Sequence, residues 1–302
     1  MMPTVCLPSP IYRADSLSKL WNVDLWLKRD DLIPQFLGGN KVRKNVRILS
    51  HAFEREGIPD LLITNGGAQS NHARVLALLG AQIGCAVHLV LHGERPPDGL
   101  GCGNSFFYDA AGAKSTYVAS TDIGAKISEI AEEARSVGKR VLVVPGGGHS
   151  LEGVEAYADA VSELPFEPDF IVVASGTGGT QAGLIVGVTR SGMKTRVIGI
   201  SVAREHDRGA NAVRALLSND LGGDLIEFKD DYRFGGYELS SPELVDFLKA
   251  VARVEGLPLD LTYTGKAMFG LSRLLLSGEI GKGSKVVFWH TGGMLNANCR
   301  RQ

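Results

Sequence analysis

Cysteine is scarce in this chain, and its spacing excludes more than its number. Cys6, Cys85, Cys102 and Cys299 lie far apart, with no Cys-x-x-Cys pair among them. That pattern argues against a structural zinc site and supplies no disulfide framework, so it predicts a reducing, cytoplasmic setting. Charge of one sign is lacking too. With 32 basic and 33 acidic residues the formal net charge is −1, so no global field draws nucleic acid or an anionic membrane. No apolar run approaches the roughly 20 residues that span a bilayer, and the first residues carry no signal-like apolar core. Fixed-period repeats and low-complexity segments are absent.

Glycine, in contrast, is plentiful. The 38 glycines cluster after apolar runs, as in α/β enzymes whose backbone approaches a ligand. With 302 residues, one large or two modest domains are expected. Strand-like runs occupy 61–64, 86–91, 140–144, 170–174, 196–200 and 285–289. Helix-like stretches lie between them, at 71–80 after a cap at Ser70, 123–137, 181–190, and 242–254 after a cap at Ser241. The alternation predicts parallel strands joined by crossover helices. The segment Gly93–Gly103 reads as a surface loop, and Pro145–His149 as a second break.

Three segments carry chemistry. Gly38-Gly39-Asn40-Lys41-Val42-Arg43-Lys44 puts a lysine directly after two glycines, beyond the strand-like Leu25–Asp31. An arbitrary lysine is a solvated surface residue, but close-approach backbone makes that reading poor here. Lys41 could form a Schiff base if its pKa were lowered, and Lys44 and Arg43 are expected to help by charge repulsion. Ser175-Gly176-Thr177-Gly178-Gly179-Thr180 joins a strand to a helix. Its amides and the helix N-terminus form an anion cup, although a tight strand-to-helix turn would need similar glycines. No Lys-Ser/Thr pair ends the loop, so it is not a Walker loop, and it suits one phosphate better than a dinucleotide. Ser70-Asn71-His72 opens a helix, where Ser70 could be an N-cap, a carboxylate-binding group, or both. His72 reads as a packing histidine on its own. Lysine, hydroxyl and phosphate cup together suggest pyridoxal phosphate; a nucleotide site without that cofactor is the other open reading.

These segments carry a resemblance. Together with Trp26–Asp31, Gln69–His72, Tyr263-Thr264-Gly265-Lys266-Ala267-Met268 and His290–Gly293, they make the chain similar to pyridoxal-phosphate enzymes of the tryptophan-synthase-β-like fold. Within that fold it resembles the family of 1-aminocyclopropane-1-carboxylate deaminase and D-cysteine desulfhydrase, over nearly its whole length. The resemblance implies two open α/β domains with the cofactor between them. Residues 1–49 and 159–302 would form the larger domain, and 50–158 a smaller inserted one. It implies that Lys41 is the Schiff-base lysine, and that Lys44 with Gly176, Thr177, Gly178, Gly179 and Thr180 holds the phosphate. Asn71 would contact the pyridine 3-oxygen. Ser70 would lie near the substrate carboxylate, with Asn71, His72 and Tyr263 at the substrate. Tyr237 and Tyr263 would be the two active-site tyrosines, and a homodimer is expected.

Two positions separate the branches of the family. The resemblance implies glutamate after the active-site tyrosine and leucine before the later Gly-Gly in the deaminases, and small hydroxyl residues in the desulfhydrases. This chain has Thr264 and Thr291 there. A carboxylate beside the pyridine nitrogen keeps it protonated, whereas a hydroxyl leaves it largely neutral. The weaker electron sink suits departure of a good β-leaving group and suits cyclopropane opening poorly. The leading expectation is therefore a lyase taking D-cysteine to pyruvate, sulfide and ammonia. L-cysteate or another β-substituted amino acid comes next, then 1-aminocyclopropane-1-carboxylate. A pyridoxal-phosphate or ligand-binding protein without turnover is the reading from a different class. The chain departs from the family pattern at Asn65, Gly148-His149-Ser150, Leu261-Thr262 and Met294-Leu295-Asn296, all positions that bear on substrate choice.

Overall fold

The computed structural model describes residues 2, 4–95, 102–217 and 225–297. Cys299 and residues 96–101 of the expected surface loop lie outside the described residues. In chain order the strands are β1 (Ile11–Arg13), β2 (Asp24–Arg29), β3 (Leu61–Gly67), β4 (Ala86–His92), β5 (Lys114–Tyr117), β6 (Val141–Val143), β7 (Phe170–Ser175), β8 (Arg196–Ser201), β9 (Glu227–Lys229) and β10 (Lys285–His290). The helices are α1 (Asp15–Trp21), α2 (Asn40–Glu56), α3 (Asn71–Ile83), α4 (Asn104–Ala110), α5 (Ile123–Ser136), α6 (Leu151–Val161), α7 (Gly179–Arg190), α8 (His206–Arg214), α9 (Pro242–Glu255) and α10 (Thr264–Leu276).

The strands form two sheets. One has six strands in the order β1-β2-β10-β7-β8-β9, and the other has four in the order β5-β4-β3-β6. Among the described residues only β1 runs antiparallel to its neighbour; every other pairing is parallel. Parallel sheets need helices on both faces, which is why their strands read as continuous apolar runs. All six residues of β7 are buried. Val172 and Phe288 face one core, with Leu25, Leu27 and Ile198. Ile171, Val173, Val287 and Trp289 face the other.

All six predicted strands form, and so do the four predicted helices. Both predicted caps are made: Ser70 Oγ accepts from Ala73 N, and Ser241 Oγ accepts from Leu244 N, each at 3.2 Å. The short strands β1, β5 and β9 and the helices α6 and α10 have no counterpart in the periodicity reading. Helix α10 is buried on most sides.

Helices α6 and α7 approach closely because glycines face the contact. A Cβ on Gly183 would collide with Tyr157 Cβ and lie 2.5 Å from Val154 O. A Cβ on Gly187 would reach Ala158 O at 2.7 Å. Gly183→Val is therefore expected to overpack this contact and destabilise the fold by about 1–3 kcal/mol. A urea midpoint unchanged by the substitution would contradict that.

Candidate functional site

The C-terminal ends of β3, β7 and β10 converge on one cavity, the usual ligand position in open parallel sheets. Its volume is about 540 Å³. Lys41, Ser70, Asn71, His72, Gly176, Thr177, Gly178, Thr180, Tyr237, Tyr263 and Thr291 all line it. Lys44, Gly179 and Thr264 do not. No aspartate or glutamate stands among the described lining residues.

Lys41 is the second residue of α2, and the approach to α2 is set by backbone. Gly38 and Gly39 have φ of +68° and +95°, a region open to glycine at little cost. Gly39 N donates to Asp30 O at 2.8 Å, and Asn40 N donates to Thr291 O at 3.0 Å. The start of α2 is thus tied to the ends of β2 and β10. Lys41 Nζ donates to Gly147 O at 3.0 Å, and burial pushes its amine down to about 8. Acylation of Lys41 in the cofactor-free protein, followed by peptide mass spectrometry, should thus be half-maximal near pH 8. A midpoint near that of an ordinary lysine would show that the amine is solvated.

Burial is what lowers Lys41, without the expected help from Lys44 or Arg43. Residues i and i+2 on a helix point to opposite sides. Arg43 turns away and pairs with Asp30 at 2.9 Å and Glu163 at 2.6 Å. Lys44, at i+3 from Lys41, shares its side. It is 1% exposed and sits low because of burial first and the Lys41 charge second. Its Nζ would be 2.8 Å from a Cβ on Gly179, so the ammonium group rests on the start of α7.

That start is the predicted anion cup. The first α-helical bond across it runs from Ala182 N to Gly178 O, which leaves the preceding amides outside the ladder. Gly178 has φ of +92°, and a Cβ there would lie 3.0 Å from Val213 Cγ2. Asn40 Nδ2 donates to Thr180 Oγ1 at 3.1 Å, linking α2 to the cup. Free amides, a helix N-terminus and a buried lysine without a described carboxylate partner suit a phosphate dianion. The residues present therefore fit pyridoxal phosphate: Lys41 for its aldehyde, and the cup with Lys44 for its phosphate.

On the opposite wall Ser70 caps α3. A Cβ on Gly66 would lie 2.6 Å from Ser70 Oγ, so that hydroxyl has room only because residue 66 is glycine. Asn71 Nδ2 donates to Asn296 Oδ1 at 3.0 Å. Thr64 Oγ1 donates to Val144 O at 2.7 Å and so accepts from His72 Nε2 at 2.9 Å. That places the His72 proton on Nε2 and leaves Nδ1 a buried lone pair with no described partner. Burial, with the charges of Lys41 and Lys44, keeps His72 neutral.

The two tyrosine hydroxyls lie 2.5 Å apart, and their rings meet edge to face at 5.9 Å. Burial and the Tyr237 partner raise Tyr263 well above an ordinary phenol. Asp260 positions this wall. Its Oδ2 accepts from Tyr263 N at 2.8 Å, and its Oδ1 accepts from Thr264 N and Thr264 Oγ1, each at 2.7 Å. The Thr264 hydroxyl is thereby held outside the cavity wall, while Thr291 lines it. Asp260 and the Gly147 carbonyl were not found from sequence, while Asn40 stood only as a neighbour of Lys41 and Asn296 only as a departure bearing on substrate choice. An aspartate four residues ahead of a helix start was the one available signal, for Asp260.

The family model described as "Pyridoxal-phosphate dependent enzyme" matches residues 4–292. A Pyrococcus furiosus protein with the provisional name of 1-aminocyclopropane-1-carboxylate deaminase is 35% identical, over 95% of this chain and 89% of its own. An Arabidopsis thaliana protein named bifunctional D-cysteine desulfhydrase/1-aminocyclopropane-1-carboxylate deaminase, mitochondrial, is 32% identical, over 96% of this chain and 77% of its own. A crystal structure described as an ACC deaminase homologue superposes with a TM-score of 0.88 at 32% identity, covering 98% of this chain and 92% of that one.

Proposed function

The chain belongs to the pyridoxal-phosphate-dependent enzymes, as a lyase of the 1-aminocyclopropane-1-carboxylate deaminase and D-cysteine desulfhydrase family, and on that premise we propose that it eliminates the β-substituent of a small amino acid, D-cysteine first. With water, D-cysteine would give pyruvate, sulfide and ammonia. The supporting observation is the absence of a carboxylate from the described cavity wall, with Thr291 as a hydroxyl there and the Thr264 hydroxyl already engaged by Asp260.

When bound, pyridoxal phosphate supplies a conjugated ring that accepts the electron pair left at the substrate α-carbon. The chain's own residues do the rest. Lys41 Nζ, lowered to about 8, takes the α-proton as general base. The phosphate cup and Lys44 anchor one end of the cavity, and Asn71 borders the ring. Ser70 and the N-terminus of α3 orient the substrate carboxylate, with His72 behind them. The Tyr237–Tyr263 pair gives the departing sulfur its proton. Thr291, a hydroxyl and not a carboxylate on the wall, would leave the bound ring less strongly protonated, which would still suffice for a leaving group as good as hydrosulfide.

The test is a substrate panel on the purified protein, following pyruvate and sulfide with D-cysteine, L-cysteine, L-cysteate and 1-aminocyclopropane-1-carboxylate. Sulfide and pyruvate from D-cysteine alone are expected. Turnover of the cyclopropane substrate without sulfide release from D-cysteine would overturn the substrate reading and leave the family standing. Spectral change with every amino acid but no product would favour a ligand-binding protein. We also propose that residues 50–158, which carry the four-stranded sheet, act as an inserted unit that closes on the substrate, and that the enzyme is a cytoplasmic homodimer. Light scattering at twice the chain mass checks the dimer.

A further inference from the structure

A guanidinium and an imidazole border the cup without an assigned role in holding it. Arg204 follows β8, and its Nη1 donates to Thr177 O at 3.4 Å. No carboxylate among the described residues pairs with this guanidinium, although protein crowds it enough to lower it below an ordinary arginine. His149 comes from the other side, in the connection from β6 to α6. Its ring also bonds the Thr177 backbone, and its Nδ1 is buried with no partner among the described residues. Both side chains line the same cavity as Gly176, Thr177 and Gly178. A buried ring nitrogen without a partner is costly in a folded chain unless a ligand arrives to meet it, and the half-buried Arg204 stands beside it with its charge unmatched by a described acid.

We propose that Arg204 and His149 hold the cofactor phosphate together with Lys44, as side-chain donors reaching the cup from two different elements. A phosphate dianion offers three acceptor oxygens, more than the helix N-terminus and one ammonium group need. Arg204 adds a planar pair of donors, and His149 adds one through Nδ1 once protonated beside the anion. Burial first, and then the charges facing it, Lys44, Arg204 and Lys41, all cationic, keep the His149 ring neutral until the anion is present. The substrate end of the cavity, at Ser70 and the tyrosines, is served by other groups.

The experiment compares two ligands on the full-length cofactor-free protein: pyridoxal phosphate, and pyridoxal, which lacks the phosphate. Arg204→Gln is expected to weaken pyridoxal phosphate about tenfold or more, as the loss of a charged hydrogen bond does, while changing pyridoxal less than about twofold. His149→Gln should give a smaller loss with the same selectivity, and Arg204→Lys should recover part of the affinity. Equal losses for both ligands would make the pair structural and overturn the proposal. Unchanged affinity for pyridoxal phosphate with a raised KM for D-cysteine would assign the pair to the substrate instead. Should Arg204→Gln not fold, His149→Gln and Arg204→Lys carry the same two-ligand comparison.

Discussion

Lys41→Ala abolishes turnover of every amino-acid substrate, by at least about 10³-fold, because one amine serves two purposes. In the function proposed above it is both the group that bonds the cofactor aldehyde and the base that takes the α-proton. The lowered pKa of about 8 serves both, since each needs a free amine pair near neutral pH. Lys44 cannot substitute. Its Nζ shares the Gly147 carbonyl with Lys41, at 3.4 Å, but rests at the start of α7, and the residue does not line the cavity. Borohydride reduction followed by peptide mapping checks the first purpose, and pre-steady-state α-proton exchange checks the second. The variant should still bind cofactor through the cup, so its folding and its phosphate binding act as internal controls. Turnover retained with a filled cofactor site would refute the assignment of Lys41.

Asp30→Asn carries the largest expected loss of stability, about 3–5 kcal/mol. Asp30 is fully buried at the foot of the site. Its Oδ1 accepts from Ser9 Oγ at 2.8 Å and from Arg43 Nη2 at 2.9 Å. Its Oδ2 accepts from Tyr157 OH at 2.5 Å and Trp289 Nε1 at 2.8 Å. Asparagine keeps the shape but turns one acceptor into a donor and removes the charge that faces Arg43. Burial alone would raise the Asp30 carboxyl, yet Arg43 and the Tyr157 and Trp289 donors outweigh it and hold the carboxyl low. A depressed folded pKa contributes stability that is full above the unfolded carboxylate range and is lost as pH falls through the folded value. The gap between wild type and variant should therefore be widest near neutral pH and narrow on acidification. Urea titrations at several pH values check this, and a gap below about 1 kcal/mol at neutral pH would show that water or a rearranged Arg43 compensates.

These two residues also mark what could be read from sequence. Lys41 was legible because its neighbours are unusual: two glycines and an asparagine leave few ordinary reasons for a lysine. The cup was legible because strand, glycine run and helix follow in order. Ser70 and Ser241 were legible as caps because capping is local. Direction was not legible. Lys41, Arg43 and Lys44 look like one basic cluster in sequence, but helix geometry sends Arg43 into an ion-pair network and leaves only Lys44 beside Lys41. Thr264 was read as a cofactor-facing position, yet Asp260 takes its hydroxyl, and a competition between acceptors is settled only by packing. Arg204 belongs to no motif, His149 stood out only as a departure bearing on substrate choice, and only the fold brings the two to Thr177.

Strand β10 sits between β2 and β7, with Lys285 in register with Asp24 and Val286 in register with Phe170. Synthesis runs in the opposite order. A ribosome delivers β2 and the Lys41 helix early, and β10 emerges hundreds of residues after β2. Until then β2 has only β1 beside it, β7 keeps an open edge, and Asn40 has no Thr291 carbonyl to dock on. The nascent chain thus carries two unpaired parallel edges, the kind of surface that recruits other chains, and no local contact can close them. The lysine is made early, and the carbonyl that docks the start of its helix is made last.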